Sequence, residues 1–380
     1  MDFKLSPESE QVRALAREFA QNEMRPLVMK FDELQEFPFE IIYKLGELGF
    51  MGVVFPEKYG GAGLSCVDYC IVIEEISAVD PSIGLSVAAH NGLCTSHIYR
   101  FGSEDLKSKY LPGLASGRKI GAWGLTEPTS GSDAGAMRTV AVRDGTTYVL
   151  NGAKQFTTHG SVGDTFVVMA ITDSSKGKKG ISAFVIEKGT RGLSAGKKEN
   201  KLGMRASDTS TLVLEDVRIP VENLIGTEGD GFTQSLEVLD AGRIGIAALS
   251  VGVARGALEA SIRYAKQRVQ FSRPIAEFQS VQWKISDMST KVESARLLTY
   301  RAANLRDNGK DIRLAAATAK YFASEAAVRC AEESVQIHGG YGFIKDFPVE
   351  KFYRDSKLLT IGEGTSEVQK MVIARNILEQ

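Results

Sequence analysis

The sequence predicts an α+β protein, mostly α, in three parts: a helical N-terminal domain (1–120), a central β domain (121–228) and a helical C-terminal bundle (229–380). Three observations carry this. Apolar residues recur every three to four positions at both ends of the chain, the period of a half-buried helix. Between those ends the runs are short and rich in β-branched and aromatic residues. No helical stretch separates these runs, so the crossovers of a parallel sheet are missing and a mixed or antiparallel sheet follows.

In the first part, Leu5–Arg25 sets Val12, Leu15, Ala16 and Phe19 on one helical face, and Phe39–Leu48 and Val67–Ser77 continue the pattern. Glycine and proline punctuate at Phe55–Leu64 and at Tyr110–Leu114. In the second part, Tyr148–Leu150, Asn151-Gly152 and Ala153–Thr157 predict a tight hairpin, since Asn-Gly readily takes positive φ. Phe166–Ile171, Ile181–Glu187 and Thr211–Leu214 predict further strands, and Asp173–Gly180 an exposed loop. In the third part, Phe232–Arg268, Ser280–Asn308 and Leu314–His338 predict long helices with short connections, an antiparallel bundle, and Ser366–Leu378 closes the chain. Neither an internal repeat nor a low-complexity tail is present.

A chain of 380 residues is too long for one small core. With 46 basic and 47 acidic residues, its balance argues against nucleic acid as a partner, because phosphate backbones select basic faces. Cys66, Cys70, Cys94 and Cys330 are too few for a disulfide framework, and no Cys/His set has zinc spacing. Reduced, buried thiols and no metal are expected. The opening MDFKLSPESE is acidic and polar, unlike a secretory or mitochondrial leader. The expectation is the bacterial cytoplasm, or the mitochondrial matrix if a leader has been removed. The most apolar stretch, Ile244–Ala254, is too short to span a bilayer and reads as a buried helix of small residues.

Nucleotide-binding loops are not evident. GxGxxG between a strand and a helix is missing, as is GxxxxGK[ST]. Two glycine-rich segments remain. GLTEPTSGSDAG (Gly124–Gly135) sets the hydroxyls of Thr126, Thr129, Ser130 and Ser132 beside small residues. It is either an ordinary polar loop or a concavity whose N–H groups face an anion. QIHGGYGF (Gln336–Phe343) ends a helix, where one glycine would suffice as a cap. None of His90, His97, His159 and His338 is paired at metal spacing, and no GxSxG occurs. Catalysis then narrows to a carboxylate with a bound cofactor.

With these segments in view, the chain resembles the acyl-CoA dehydrogenase family over its whole length. Gly124–Gly135 is similar to that family's first signature. Gln336, Gly339, Gly340, Gly342, Phe343, Asp346, Lys351 and Asp355 fall in the order of its second. RVQFSRP (Arg268–Pro274) resembles its R-x-x-F-G-[KR]-P, and EGTSE follows in the tail. The resemblance implies an acyl-CoA dehydrogenase fold ending in a four-helix bundle, a homotetramer built as a dimer of dimers, and FAD at a subunit interface. The flavin would face Trp123, Leu125, Thr126, Ser132, Phe156 and Thr158. Arg268, Phe271, Gln279, Gln336, Ile337, Gly339 and Gly340 would come from a neighbouring subunit, with Thr365 and Glu367 as further flavin contacts. Arginine suits a pyrophosphate because its fork gives two charge-assisted hydrogen bonds. Ser132, Asp240 and Arg243 would meet the coenzyme A arm, and Gly364 the substrate.

Glu363 matches the family's catalytic base, which removes the α-proton of an acyl-CoA while the β-hydride passes to the flavin. Some branches place the base instead where this sequence has Gly242. A carboxylate at 363 and glycine at 242 point to a short-chain or short branched-chain substrate, with electrons leaving to an electron-transferring flavoprotein. An oxygen-using acyl-CoA oxidase or flavin monooxygenase on the same fold is the alternative, as is a non-catalytic acyl-CoA-binding protein. Three positions depart from the pattern: Phe156 replaces a frequent tryptophan, Ser272 a glycine and Gly362 a frequent tyrosine. Ser272 fits if its φ is negative, and Gly362 implies a wider acyl pocket. In the stretch IGEGTSE (Ile361–Glu367), Ser366 with Gln369 reads as a capping box for the last helix. Glu363 then stands before the cap, with Gly362 and Gly364 allowing a tight bend.

Overall fold

In this computed structural model, which describes residues 4–379, seven helices come first. They are α1 (Pro7–Phe19), α2 (Val28–Leu34), α3 (Phe39–Glu47), α4 (Cys66–Ser77), α5 (Pro81–Ala89), α6 (Ser96–Phe101) and α7 (Glu104–Ala115). Side chains of Ser6, Ser65, Asp80 and Ser103 accept first-turn N–H groups of α1, α4, α5 and α7. The helix expected over Leu5–Arg25 widens into a π-helical turn at Ala20–Met24, and a second such turn, His90–Thr95, joins α5 to α6. Tyr110–Leu114 is not a break. Pro112 lies within α7, where burial of Leu111, Leu114 and Ala115 outweighs the one backbone bond that proline removes.

Eight strands follow: β1 (Gly121–Gly124), β2 (Val140–Asp144), β3 (Thr147–Thr158), β4 (Thr165–Ile171), β5 (Ile181–Glu187), β6 (Leu193–Lys198), β7 (Thr209–Pro220) and β8 (Leu224–Ile225). Their order is β6-β7-β3-β2-β4-β5-β8, with β1 beside β4. The sheet is mixed: β1 and β2 run parallel to β4, and the other pairs are antiparallel. Strands β4 and β5 are buried on both faces. Val167, Met169, Ala183 and Val185 pack with Leu106, Leu111 and Leu114 of α7, while Phe166, Val168, Phe184 and Ile186 pack with Leu212 and Leu214.

The hairpin expected at Asn151-Gly152 is absent. Strand β3 runs straight through it, and the turn lies earlier, at Gly145 with φ 62°, between β2 and β3. Asn151 is held in the strand by exchanging hydrogen bonds with Asp216 of β7. Gly152 serves close approach instead, since a Cβ there would lie 2.5 Å from Thr139 Oγ1. The Asp173–Gly180 loop is a short, largely exposed 3-10 segment.

The third part comprises α8 (Gly231–Gln267), a small hairpin β9 (Val269–Gln270) and β10 (Arg273–Pro274), then α9 (Gln279–Asp307), α10 (Arg313–His338), α11 (Val349–Leu359) and α12 (Ser366–Leu378). Every residue from Ile244 to Ala254 is buried. This part of α8 lies in the largest core cluster, which joins α1, α3, α4 and α5 to α8, α9 and α10. All four cysteines are free and buried. Among the described residues, no helix is long and apolar enough to cross a membrane.

Candidate active site

Glu363 stands in the bend between α11 and α12. Its φ is 52° and that of Gly364 is 92°, so two successive residues adopt the left-handed conformation. Glycine reaches this region freely, whereas glutamate does so only at a cost of about 1–2 kcal/mol. The bend is therefore held from outside. Gln369 Nε2 donates to the Glu363 carbonyl at 3.3 Å and to the Gly364 carbonyl at 2.9 Å, and Lys320 Nζ of α10 donates to the latter at 2.7 Å. The capping box at Ser366 and Gln369 does not form. Thr365 is the N-cap, with its hydroxyl accepting from Val368 N, and Ser366 Oγ donates to Glu325. Gln369 is spent on the bend.

The carboxylate reaches inward. Its Oε2 is shielded from solvent without a hydrogen-bond partner, and a Cβ on Gly242 of α8 would collide with it. Gly92 lies against Gly242, and Tyr69 Oη closes the far side, 2.7 Å from where a Cβ of Gly245 would be. Burial pushes the Glu363 carboxyl up to about 7, against the pull of the cations Lys320 and Arg243. Arg243 is buried and ion-paired with Asp240 at 2.5 Å, and its Nε has no partner. An unpartnered carboxylate oxygen, titrating near neutrality beside two cations, is what a proton-abstracting base requires.

A second group of residues lies on the β side. Trp123 of β1 donates from Nε1 to His97 Nδ1 at 3.0 Å, and His97 Nε2 meets Gln234 Oε1 at 3.0 Å. Burial drops the His97 imidazole to about 4, so it is neutral and can accept the indole N–H. The loop carrying Leu125 and Thr126 is fixed by buried Glu127. Its carboxylate pairs with Lys154 Nζ at 2.7 Å and accepts from Arg138 N and Thr139 N. Phe156 projects outward with φ 54°, within the register shift between Lys154 and Thr157, and is 63% exposed.

A third group lines an open cavity of about 540 Å³ at the C-terminal end of α10. Arg268, Ile337, Gly339 and Gly340 line it together with Tyr264, His338 and Tyr341. The Arg268 guanidinium lies 5.3 Å from the Tyr341 ring centroid.

Models of the acyl-CoA dehydrogenase N-terminal, middle and C-terminal domains match residues 6–118, 122–217 and 229–378. The chain belongs to the acyl-CoA dehydrogenase family. A short-chain specific acyl-CoA dehydrogenase of Clostridium acetobutylicum is 51% identical over 377 residues, covering 99% of this chain and 100% of the relative. Butyryl-CoA dehydrogenase from Megasphaera elsdenii superposes with a TM-score of 0.98 at 43% identity over 100% of both chains. A chain of the structure described as "Electron transferring flavoprotein of Acidaminococcus fermentans: Towards a mechanism of flavin-based electron bifurcation" superposes at 0.99 with 46% identity, again over 100% of both.

Acyl-CoA dehydrogenases are oxidoreductases acting on CH–CH bonds with FAD, and the residues of this chain fit that cofactor. The cavity offers one guanidinium for phosphate oxygens, and a Cβ at Gly339 or Gly340 would meet nothing within 4 Å, so backbone and ligand can approach closely. The exposed Phe156 ring and the oriented Trp123 indole give aromatic surface on the β side.

Not every anticipated residue joins these groups. Gly364 lies beside the base, but its carbonyl is already taken by Lys320 and Gln369. Thr365 is occupied as a cap. Gln279, Gln336 and Phe271 do not line the cavity, and Phe271 is 89% exposed at the β9–β10 tip. Ser132 and Glu367 are exposed, and Thr158 is half-buried in β3 opposite Thr209. The condition set for Ser272 fails: its φ is 63° and that of Phe271 is 51°, the pair of positive values a two-residue hairpin loop demands. At Gly362 a Cβ would make only ordinary contacts, 3.6 Å from Leu358, so a side chain has room there.

Lys320, Tyr69, Glu127 and Lys154 escaped the reading of the sequence. One signal for Lys320 was present, since it falls on the stripe of Ala316, Ala323 and Ala327 that α10 buries.

Proposed function

We propose that this chain dehydrogenates a short-chain or short branched-chain acyl-CoA to the trans-2-enoyl-CoA, with Glu363 as the base that removes the α-proton. The observation that carries it is the shielded, unpartnered Glu363 Oε2 lodged against Gly242. Asp80 Oδ2 is also shielded and unpartnered, but Lys351 holds that carboxylate through its other oxygen. Among the described residues the Glu363 carboxylate carries no such ion pair, which suits it to take a proton from an acidic C–H. Position 242 touches Glu363 Oε2, which explains why a carboxylate from α8 could serve other branches of the family. Bound FAD supplies the acceptor for the β-hydride. Arg243 with Asp240, and Ser132 from the loop after β1, are assigned to the coenzyme A arm. Trp123, Leu125, Thr126, Phe156, Thr158 and Ser132, with Thr365 and Glu367, are assigned to the flavin.

The cavity at Arg268, with Phe271, Gln279 and Gln336, is assigned to FAD of a neighbouring subunit in a homotetramer. Support comes from large apolar side chains left exposed in the C-terminal part of the chain, Phe271 at 89%, Phe343 at 87% and Trp283 at 65%. An electron-transferring flavoprotein is the electron acceptor, in line with the Acidaminococcus structure.

The test is Glu363→Gln. The variant should keep FAD and bind butyryl-CoA, yet reduce its flavin about 10²- to 10⁴-fold more slowly, because the amide cannot accept the proton. Anaerobic stopped-flow bleaching near the parental rate would move the base elsewhere.

A further inference from the structure

Lys320 is a buried lysine that no element of the reaction so far explains. It lies on the face of α10 that packs on α8 and α12, with no exposed surface. A lysine is seldom fully buried unless it is paired, and its one hydrogen bond goes to a carbonyl, that of Gly364 at 2.7 Å. That carbonyl belongs to the residue following the base, within a bend that two positive φ values leave strained. The lysine and Gln369 grip the same oxygen from different helices, so α10 and α12 together set where the glutamate side chain leaves the backbone.

We propose that Lys320 is a positioning residue for the proton-abstracting carboxylate: its ammonium fixes the Glu363–Gly364 bend and places a buried positive charge on the residue next to the base. This rests on the reading of Glu363 as the base. The charged and titratable groups around the carboxyl are Lys320 on α10, Arg243 with Asp240 on α8, and Tyr69 on α4. Glu325 on α10 and Glu367 on α12 act on Lys320 in turn. Arg243 also acts on Glu363 but shares its charge with Asp240, and Lys320 is the stronger of the two cations on the carboxyl. Burial lowers its ammonium to about 8, so it is still mostly charged at neutral pH.

The sign follows directly. Burial favours the protonated carboxyl and the cation opposes burial, so removing the cation raises the pH at which the base ionises. In Lys320→Met, the acid limb of kcat/KM for butyryl-CoA should move up by about one unit or more, with the rate on that limb about tenfold lower. Lys320→Arg should restore it. Lys320→Gln, which keeps a donor but not the charge, should show the same displaced limb with kcat at high pH closer to the parent; it also serves if the methionine variant fails to fold. An independent readout needs no turnover: the Glu363 carboxyl band, taken as the infrared difference from Glu363→Gln, should titrate higher in both uncharged variants. An unmoved limb and an unmoved band in either of them overturn the proposal. Rapid flavin reduction by Glu363→Gln itself would instead remove the base assignment, so the two failures are distinguishable.

Discussion

At the scale of single residues, the site depends on side chains that are missing as much as on those present. Gly242 clears the space into which Glu363 Oε2 projects, with Gly92 packed against Gly242, while Tyr69 closes its rear. A methyl group at 242 would collide with the carboxylate tip, and that tip can swing aside without disturbing the helix. Gly242→Ala should therefore fold and hold FAD normally, yet lose about 10²-fold in kcat, the effect of shifting a reacting group by about an ångström. Unchanged turnover with an unchanged far-ultraviolet spectrum would show that the carboxylate does not work from this position. Glu363 itself was legible because it heads the EGTSE motif of the tail. Its supports were not: Lys320 lies 43 residues before it, and only folding places the ammonium on the Gly364 carbonyl.

At the scale of elements, long periodic helices were read closely, whereas turn chemistry alone misplaced a hairpin. Asp144-Gly145 and Asn151-Gly152 are both strong turn signals, seven residues apart. Pairing of β3 with β7 on both sides of Gly152 decided between them, and that pairing is not local. Helix α11 went unseen for a related reason. Val349, Phe352 and Leu359 carry a helical period, but Lys351 and Asp355 interrupt the apolar face because that face is buried against charge. The β9–β10 turn gives a test at this scale. Phe271 and Ser272 both hold positive φ, which costs a residue other than glycine about 1–2 kcal/mol. Ser272→Gly should raise stability by about 0.5 kcal/mol, after the added freedom of the unfolded chain is subtracted. Ser272→Val should lower it by at least about 1 kcal/mol, since β-branched side chains fit this region poorly. Thermal unfolding of the two variants in parallel checks the order; a valine variant as stable as the glycine one contradicts it.

At the scale of the whole molecule, α11 is where the three parts of the chain meet. Lys351 Nζ lies 2.8 Å from Asp80, which caps α5, and 2.6 Å from Asp355, whose other oxygen accepts the backbone N–H of Met204 beyond the β domain's sixth strand. All three side chains are buried. Beside them Arg354 reaches Asp32 of α2 and the Leu202 carbonyl. Glycine at 203 is needed because a Cβ there would strike the Arg354 carbonyl. The second family signature, in which Lys351 and Asp355 stand, thus encodes a structural junction as well as the glycines of the cavity. Breaking a buried ion pair by removing one partner costs about 3–5 kcal/mol, mostly because the other charge is left uncompensated. Lys351→Met should destabilise the protein by about that amount, lowering the temperature at which the parts come apart. If stranded charge is the cause, Lys351→Met combined with Asp80→Asn and Asp355→Asn should recover most of the loss, because asparagine keeps the acceptor oxygens that Ser82 and Met204 use. A triple variant no more stable than the single one would mean that packing around the lysine stem, and not its charge, holds the junction together.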